Sequence, residues 1–103
     1  MRLRRLYVNS ERAKFFTVTT VNNDRLEFHY FWRSKTKAWY LNLVHHDTGE
    51  TLKTGVRLEP NSRPLDTANL LDDPFIFIVG GKEYNKQEHL GDRINIYLLD
   101  RYD

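Results

Sequence analysis

A chain of 103 residues with 16 Lys or Arg against 14 Asp or Glu carries a net charge of +2, and it buries enough surface on folding for one compact core. The absence of cysteine excludes a disulfide scaffold, a thiolate zinc site and a cysteine nucleophile together. No apolar run approaches the ~20 residues that cross a bilayer, and Met1-Arg2-Leu3-Arg4-Arg5 lacks the apolar stretch of a secretory signal, so the expectation is a soluble chain without membrane contact.

The elements follow in chain order, beginning with Leu3, Leu6, Tyr7 and Val8 interleaved with Arg2, Arg4 and Arg5. This start predicts a short edge strand or an arm within residues 1–10, with the arginines either blunting an edge or meeting phosphates or an acidic partner. Phe15 to Val21 is dense in the strand formers Phe, Thr and Val, and Asn22-Asn23-Asp24 supplies a turn into Leu26 to Trp32. In that next segment Leu26, Phe28, Tyr30 and Trp32 share one face, while Glu27, His29 and Arg33 share the other with Phe31. The polar loop Arg33 to Lys37 leads to Trp39, Leu41 and Leu43 alternating with Tyr40, Asn42 and Val44, which predicts a hairpin. A turn at Asp47-Thr48-Gly49 hands the chain to Leu52, Thr54, Val56 and Leu58.

Two prolines between Leu58 and Leu65 predict a loop, and Asp66 to Asp73 predicts one helical turn capped by Asp66 or Thr67, with Leu70 and Leu71 inward. The run Phe75-Ile76-Phe77-Ile78-Val79 predicts a strand covered on both sides, and Gly80-Gly81 a turn. Lys82 to Gly91 reads as a surface loop with room for a helical turn. Ile94, Ile96 and Leu98 then alternate with Asn95, Tyr97 and Leu99 in a last strand before an acidic tail, Asp100 to Asp103. The fold class is all-β: a single domain, 1–103, built as a small antiparallel barrel or sandwich of about six or seven strands with at most short helical turns.

Charge is unevenly spread. Residues 1–63 hold 12 basic against 6 acidic side chains, residues 64–103 hold 4 against 8, and such a split favours contacts between copies through complementary potentials or leaves two solvated faces.

The chemistry-bearing types give no catalytic pattern. His45-His46-Asp47 has metal-ligand residue types, but neighbours on a strand point to opposite faces, and a polar turn accounts for them better. No triad order, phosphate-cradling loop or metal motif occurs, so no enzyme, cofactor or metal site is expected. Binding remains. Tyr30, Trp32, Arg33, Lys35, Lys37, Trp39 and Tyr40 mix aromatic and basic groups as a stacking platform for single-stranded nucleic acid on an OB-like barrel would, or for a protein partner. Trp32 and Trp39 lie in phase with buried Leu and Phe, which favours a core role, and the near-neutral charge argues against nucleic acid.

The ordered set Trp32-Arg33, Ala38-Trp39-Tyr40-Leu41-Asn42-Leu43, Asp47-Thr48-Gly49, Gly55-Val56-Arg57-Leu58 and Leu90-Gly91-Asp92-Arg93-Ile94 resembles the small baseplate plug proteins of cyanophage contractile tails. The likeness covers roughly residues 15–100. Asn42 stands where an aspartate is usual, and Asn61-Ser62-Arg63 where a glycine-containing turn is usual. The resemblance implies a non-enzymatic structural protein of the virion, assembled in the host cytoplasm, that plugs the tail tube or adapts it to the baseplate hub. Its implied partners are the hub, the tail tube and further copies of itself in a ring. The interface candidates are Arg2, Arg4, Arg5, Trp32, Arg33, Lys35, Lys37, Gly55, Arg57, Leu58 and Arg93. Arg57 either pairs with a neighbouring subunit or braces its own turn.

Overall fold

Period-two alternation becomes strands throughout the computed structural model, which describes residues 2–101. In chain order these are β1 (Arg2–Leu6), β2 (Lys14–Val21), β3 (Asp24–Arg33), β4 (Ala38–His45), β5 (Thr51–Arg57), β6 (Ile76–Gly81) and β7 (Ile94–Asp100). They form two antiparallel sheets, a meander β2-β3-β4-β5 and a three-stranded sheet β1-β7-β6. Of the two architectures expected, the sandwich is the one adopted.

The sheets meet through the apolar half of each alternation. Leu26, Phe28 and Tyr30 of β3 and Trp39, Leu41 and Leu43 of β4 are fully buried, facing Phe77 and Val79 of β6 and Ile94, Ile96 and Leu98 of β7. Across the interlayer Phe28 stacks on Phe77 with ring centroids 5.8 Å apart and meets Phe75 edge-on at 6.2 Å. Such pairs add about 0.5–1.5 kcal/mol each beyond the area they bury.

Turn chemistry sets the register. Asn22 and Asn23 take positive φ of 50° and 72°, the backbone twist of a two-residue hairpin turn, so β2 and β3 pair from Val21–Asp24 to Lys14–Phe31 without a slip. In β5 the alternation breaks at Gly55, whose φ of +65° opens a bulge against β4. Asn42 Oδ1 accepts the Gly55 amide at 2.8 Å and closes the bulge.

Four local expectations change. Gly80 and Gly81 are the end of β6, not a turn: a Cβ on Gly81 would lie 2.0 Å from the Arg93 carbonyl oxygen, so glycine is needed for β6 to approach β7. The loop between the prolines makes one bridge, with Ser62 and Val79 exchanging both backbone hydrogen bonds. Asp100, expected in an acidic tail, closes β7 with its side chain buried; Tyr102 and Asp103 lie outside the described residues. Finally, only one side of β6 is covered by the other sheet: Phe77 and Val79 point into the core, while Ile76 and Ile78 share the outer face and are half-buried. The turn expected at Asp66 to Asp73 is a 3-10 turn, Thr67–Asn69, with Asp66 capping the Ala68 amide and Leu70 and Leu71 against the core.

The turns after β2 and β4 share one end with Asp66, Asp72 and Asp73, tied there by Asn22 Nδ2, which donates to the Asp73 and Pro74 carbonyls. The β3–β4 turn, with Arg33, Lys35 and Lys37, is at the opposite end.

Candidate functional site

Beside the start of β4, one tyrosine stitches a loop to the four-stranded sheet. The Tyr84 hydroxyl donates to the Leu58 carbonyl at 2.9 Å and accepts from the Trp39 amide at 2.9 Å, while Trp39 Nε1 donates to the Gln87 carbonyl at 3.0 Å. Burial pushes the Tyr84 pKa up, so the hydroxyl keeps its proton for this bridge. Two grooves meet at that residue. One, of about 490 Å³, is lined by Arg57, Glu59, Pro60, Asn61, Glu83 and Tyr84; the other, of about 440 Å³, shares Glu83 and Tyr84 and includes Arg93. Arg57 Nε pairs with Glu59 at 2.7 Å with both side chains about half exposed, and Arg93 Nε donates to the Glu83 carbonyl at 2.8 Å.

The structure therefore brings Arg57 and Arg93, 36 positions apart in the chain, to adjoining polar grooves. Leu58 lies beneath them, fully buried, and contributes its carbonyl rather than its side chain. Gly55 is exposed at the β5 bulge. Arg33 extends over the rings of Phe31 and Tyr40, at 5.3 and 4.9 Å from their centroids, on the outer face of the meander. Lys35 and Lys37 are exposed at the turn tip beyond it.

The remaining candidates lie elsewhere. Arg2 and Arg4 face the interior of the sandwich and hold the buried Asp100 carboxylate at 3.2 and 2.9 Å. Arg4 also donates to the Thr20 carbonyl, which joins the edges of the two sheets. These contacts account for two of the three N-terminal arginines as internal ties. Arg5 alone points to the outer face of the three-stranded sheet, where it donates to Asn95 Oδ1 at 2.6 Å.

The stacking platform does not assemble. Trp39 is fully buried, with Phe15 edge-on at 5.8 Å, and the half-buried Trp32 tilts against it at 5.9 Å. His45 and His46 approach different carboxylates, Asp24 and Glu27, and among the described residues no group of three or more acids and imidazoles is placed to hold a metal ion. What sequence reasoning missed is Glu27, which accepts from His29 Nε2 and from His46 Nδ1, each at 2.8 Å. The His29 bond, and then the His46 bond, hold its carboxyl below the usual range. Glu27 and His29 are two apart on β3, a spacing that puts them side by side; only the fold could supply His46.

Against known proteins, residues 4–101 match the model of the family described as cyanophage baseplate Pam3 plug gp18. No curated protein matches the chain.

Proposed function

Because the chain belongs to the cyanophage baseplate plug family, as the match over residues 4–101 establishes, we propose that it closes the tail tube, or adapts the tube to the baseplate hub, as a non-enzymatic structural subunit. Its partners are then the hub and tube proteins and further copies of itself, assembled into the virion within the host cytoplasm. The observation that carries the reading is the family match; the geometry supports it. The grooves around Tyr84 are open and polar and rimmed by arginines, with Glu59 paired to Arg57 and the Glu83 carbonyl bonded by Arg93, an arrangement suited to docking.

On this reading Arg57 and Arg93 face neighbouring chains. Arg57→Glu leaves a folded protein, since the side chain is about half exposed and its partner Glu59 is exposed as well. It should reduce incorporation into tail particles severalfold while the thermal midpoint stays within the range of ordinary surface changes. Unchanged incorporation, counted by quantitative mass spectrometry of purified tails, would assign Arg57 to bracing its own turn.

A further inference from the structure

An open sheet edge carries a row of backbone donors and acceptors that must be paired, covered or blunted, and three of the four edges here are. Beside β6, Ser62 exchanges both backbone hydrogen bonds with Val79, and Asn61 Oδ1 accepts the Gly81 amide. The Gly55 bulge and Lys53 interrupt β5, and β1 is five residues long with three arginines. The fourth edge, β2, has no such device. It runs eight residues in unbroken register with β3, without glycine or proline, and Lys14 at its start is its only charge. The Trp32 amide donates to the Ala13 carbonyl at 2.7 Å, so the mutually bonded pairs with β3 fall on the odd positions of β2. Lys14, Phe16, Val18 and Thr20 therefore turn their N–H and C=O away from the sheet, and the Thr20 carbonyl shows that direction by accepting from Arg4. The backbone groups of Phe16 and Val18 have no partner among the described residues, and the side chains of the same two residues are about half exposed.

Unpaired N–H and C=O groups at alternate positions take another extended backbone, and the side chains between them select which one. The strand fits itself. A two-fold axis at Thr17 sets Phe16 opposite Val18 of the second copy, twice over, with all four residues using their outward groups. The same register puts Lys14 opposite uncharged Thr20, at the two far ends of the pairing. Other charges on this face are engaged within the chain: Glu27 by His29 and His46, Arg25 by Asp47, Arg57 by Glu59, and Arg33 over the rings of Phe31 and Tyr40. We propose that two copies of this chain pair edge to edge through β2, antiparallel and centred on Thr17, which joins their four-stranded meanders into one continuous sheet. The inference stands apart from the baseplate reading, since it concerns the purified chain alone.

Amide hydrogen exchange, read residue by residue by nuclear magnetic resonance, tests the pairing directly. In a single copy Phe15, Thr17 and Thr19 are held by β3 while the Phe16 and Val18 amides exchange freely; pairing should slow those two by about tenfold or more as the concentration is raised. Light scattering should give a dimer over the same range. Val18→Pro removes an outward donor that nothing in the chain uses, and Val18→Lys keeps the backbone but sets a charge opposite Phe16; both should be folded monomers. The chain has no cysteine, so Thr17→Cys should form a disulfide-linked dimer under mild oxidation, its Cα atoms about 4.5 Å apart across the axis, while Lys35→Cys at the β3–β4 turn should not. A parent monomeric at every concentration, a dimer whose Phe16 and Val18 amides still exchange freely, a Val18→Lys variant as dimeric as the parent, or a Thr17→Cys variant that does not cross-link would overturn the pairing. Protection of those amides that appears only when another tail protein is added would overturn it too, by assigning the edge to that protein. A monomeric chain that still enters tails removes this inference and leaves the baseplate reading, whereas a dimer that never enters tails does the reverse.

Discussion

Glu27 is the residue whose protonation the structure describes most fully. A carboxylate held below its ordinary value of 4.5 contributes stability that is complete above that value and is lost as pH falls through the lower folded pKa. Glu27→Gln removes that contribution, so its denaturant midpoint should lie below the parent's at pH 7 and converge on it as the pH is taken well below 4.5. Urea titrations of both proteins across that range check the sign; a gap that widens on acidification would contradict it. Asp47 behaves alike through its bond from Arg25, and since both carboxylates sit at the protein surface the effect is modest. At this scale the sequence was only partly legible. Alternation put Trp39, Leu41 and Leu43 inside, but the inward turn of Arg2 and Arg4 depends on the buried Asp100, almost a hundred positions away. Local charge pattern carries no trace of such a pairing.

At the scale of elements, two glycines with positive φ give contrasting expectations. A Cβ on Gly55 would meet nothing within 4 Å, so Gly55→Ala should cost only the left-handed backbone, about 1–2 kcal/mol. On Gly81 the same atom would lie 2.0 Å from the Arg93 carbonyl oxygen and 2.9 Å from the Ile94 Cα, backbone atoms that cannot swing aside as a side chain can. Gly81→Ala should therefore exceed the ~3 kcal/mol that bounds most single substitutions and release the end of β6 from β7. Chemical denaturation of the two variants decides it, and equal losses would mean that β6 and β7 relax apart freely. Hairpins were readable from Asn22-Asn23-Asp24 and from Arg33 to Lys37, because turn residues and alternation agreed. Gly80-Gly81 misled for a physical reason: glycine serves close strand approach as well as turns, and composition does not separate the two.

For the whole molecule, seven strands in a three-plus-four sandwich were legible as a class, since fold class follows from the period of the apolar pattern. The closure of the three-stranded sheet was not, because β1 joins β7 across nearly the full chain length and no local signal encodes that pairing. The run Phe75 to Val79 shows how an expectation can err and still inform. Its second apolar face implied a cover, but the other sheet covers only Phe77 and Val79, and Ile76 and Ile78 stay half-buried. The family match points to a phage baseplate as the setting of the chain. The most direct measurement is a cryo-electron-microscopy map of assembled tails resolved to side chains. The account predicts this sandwich where the tube meets the hub, with Arg57 and Arg93 turned to neighbouring chains. A tail whose tube end is closed by another protein, with this chain absent from the particle, would contradict it.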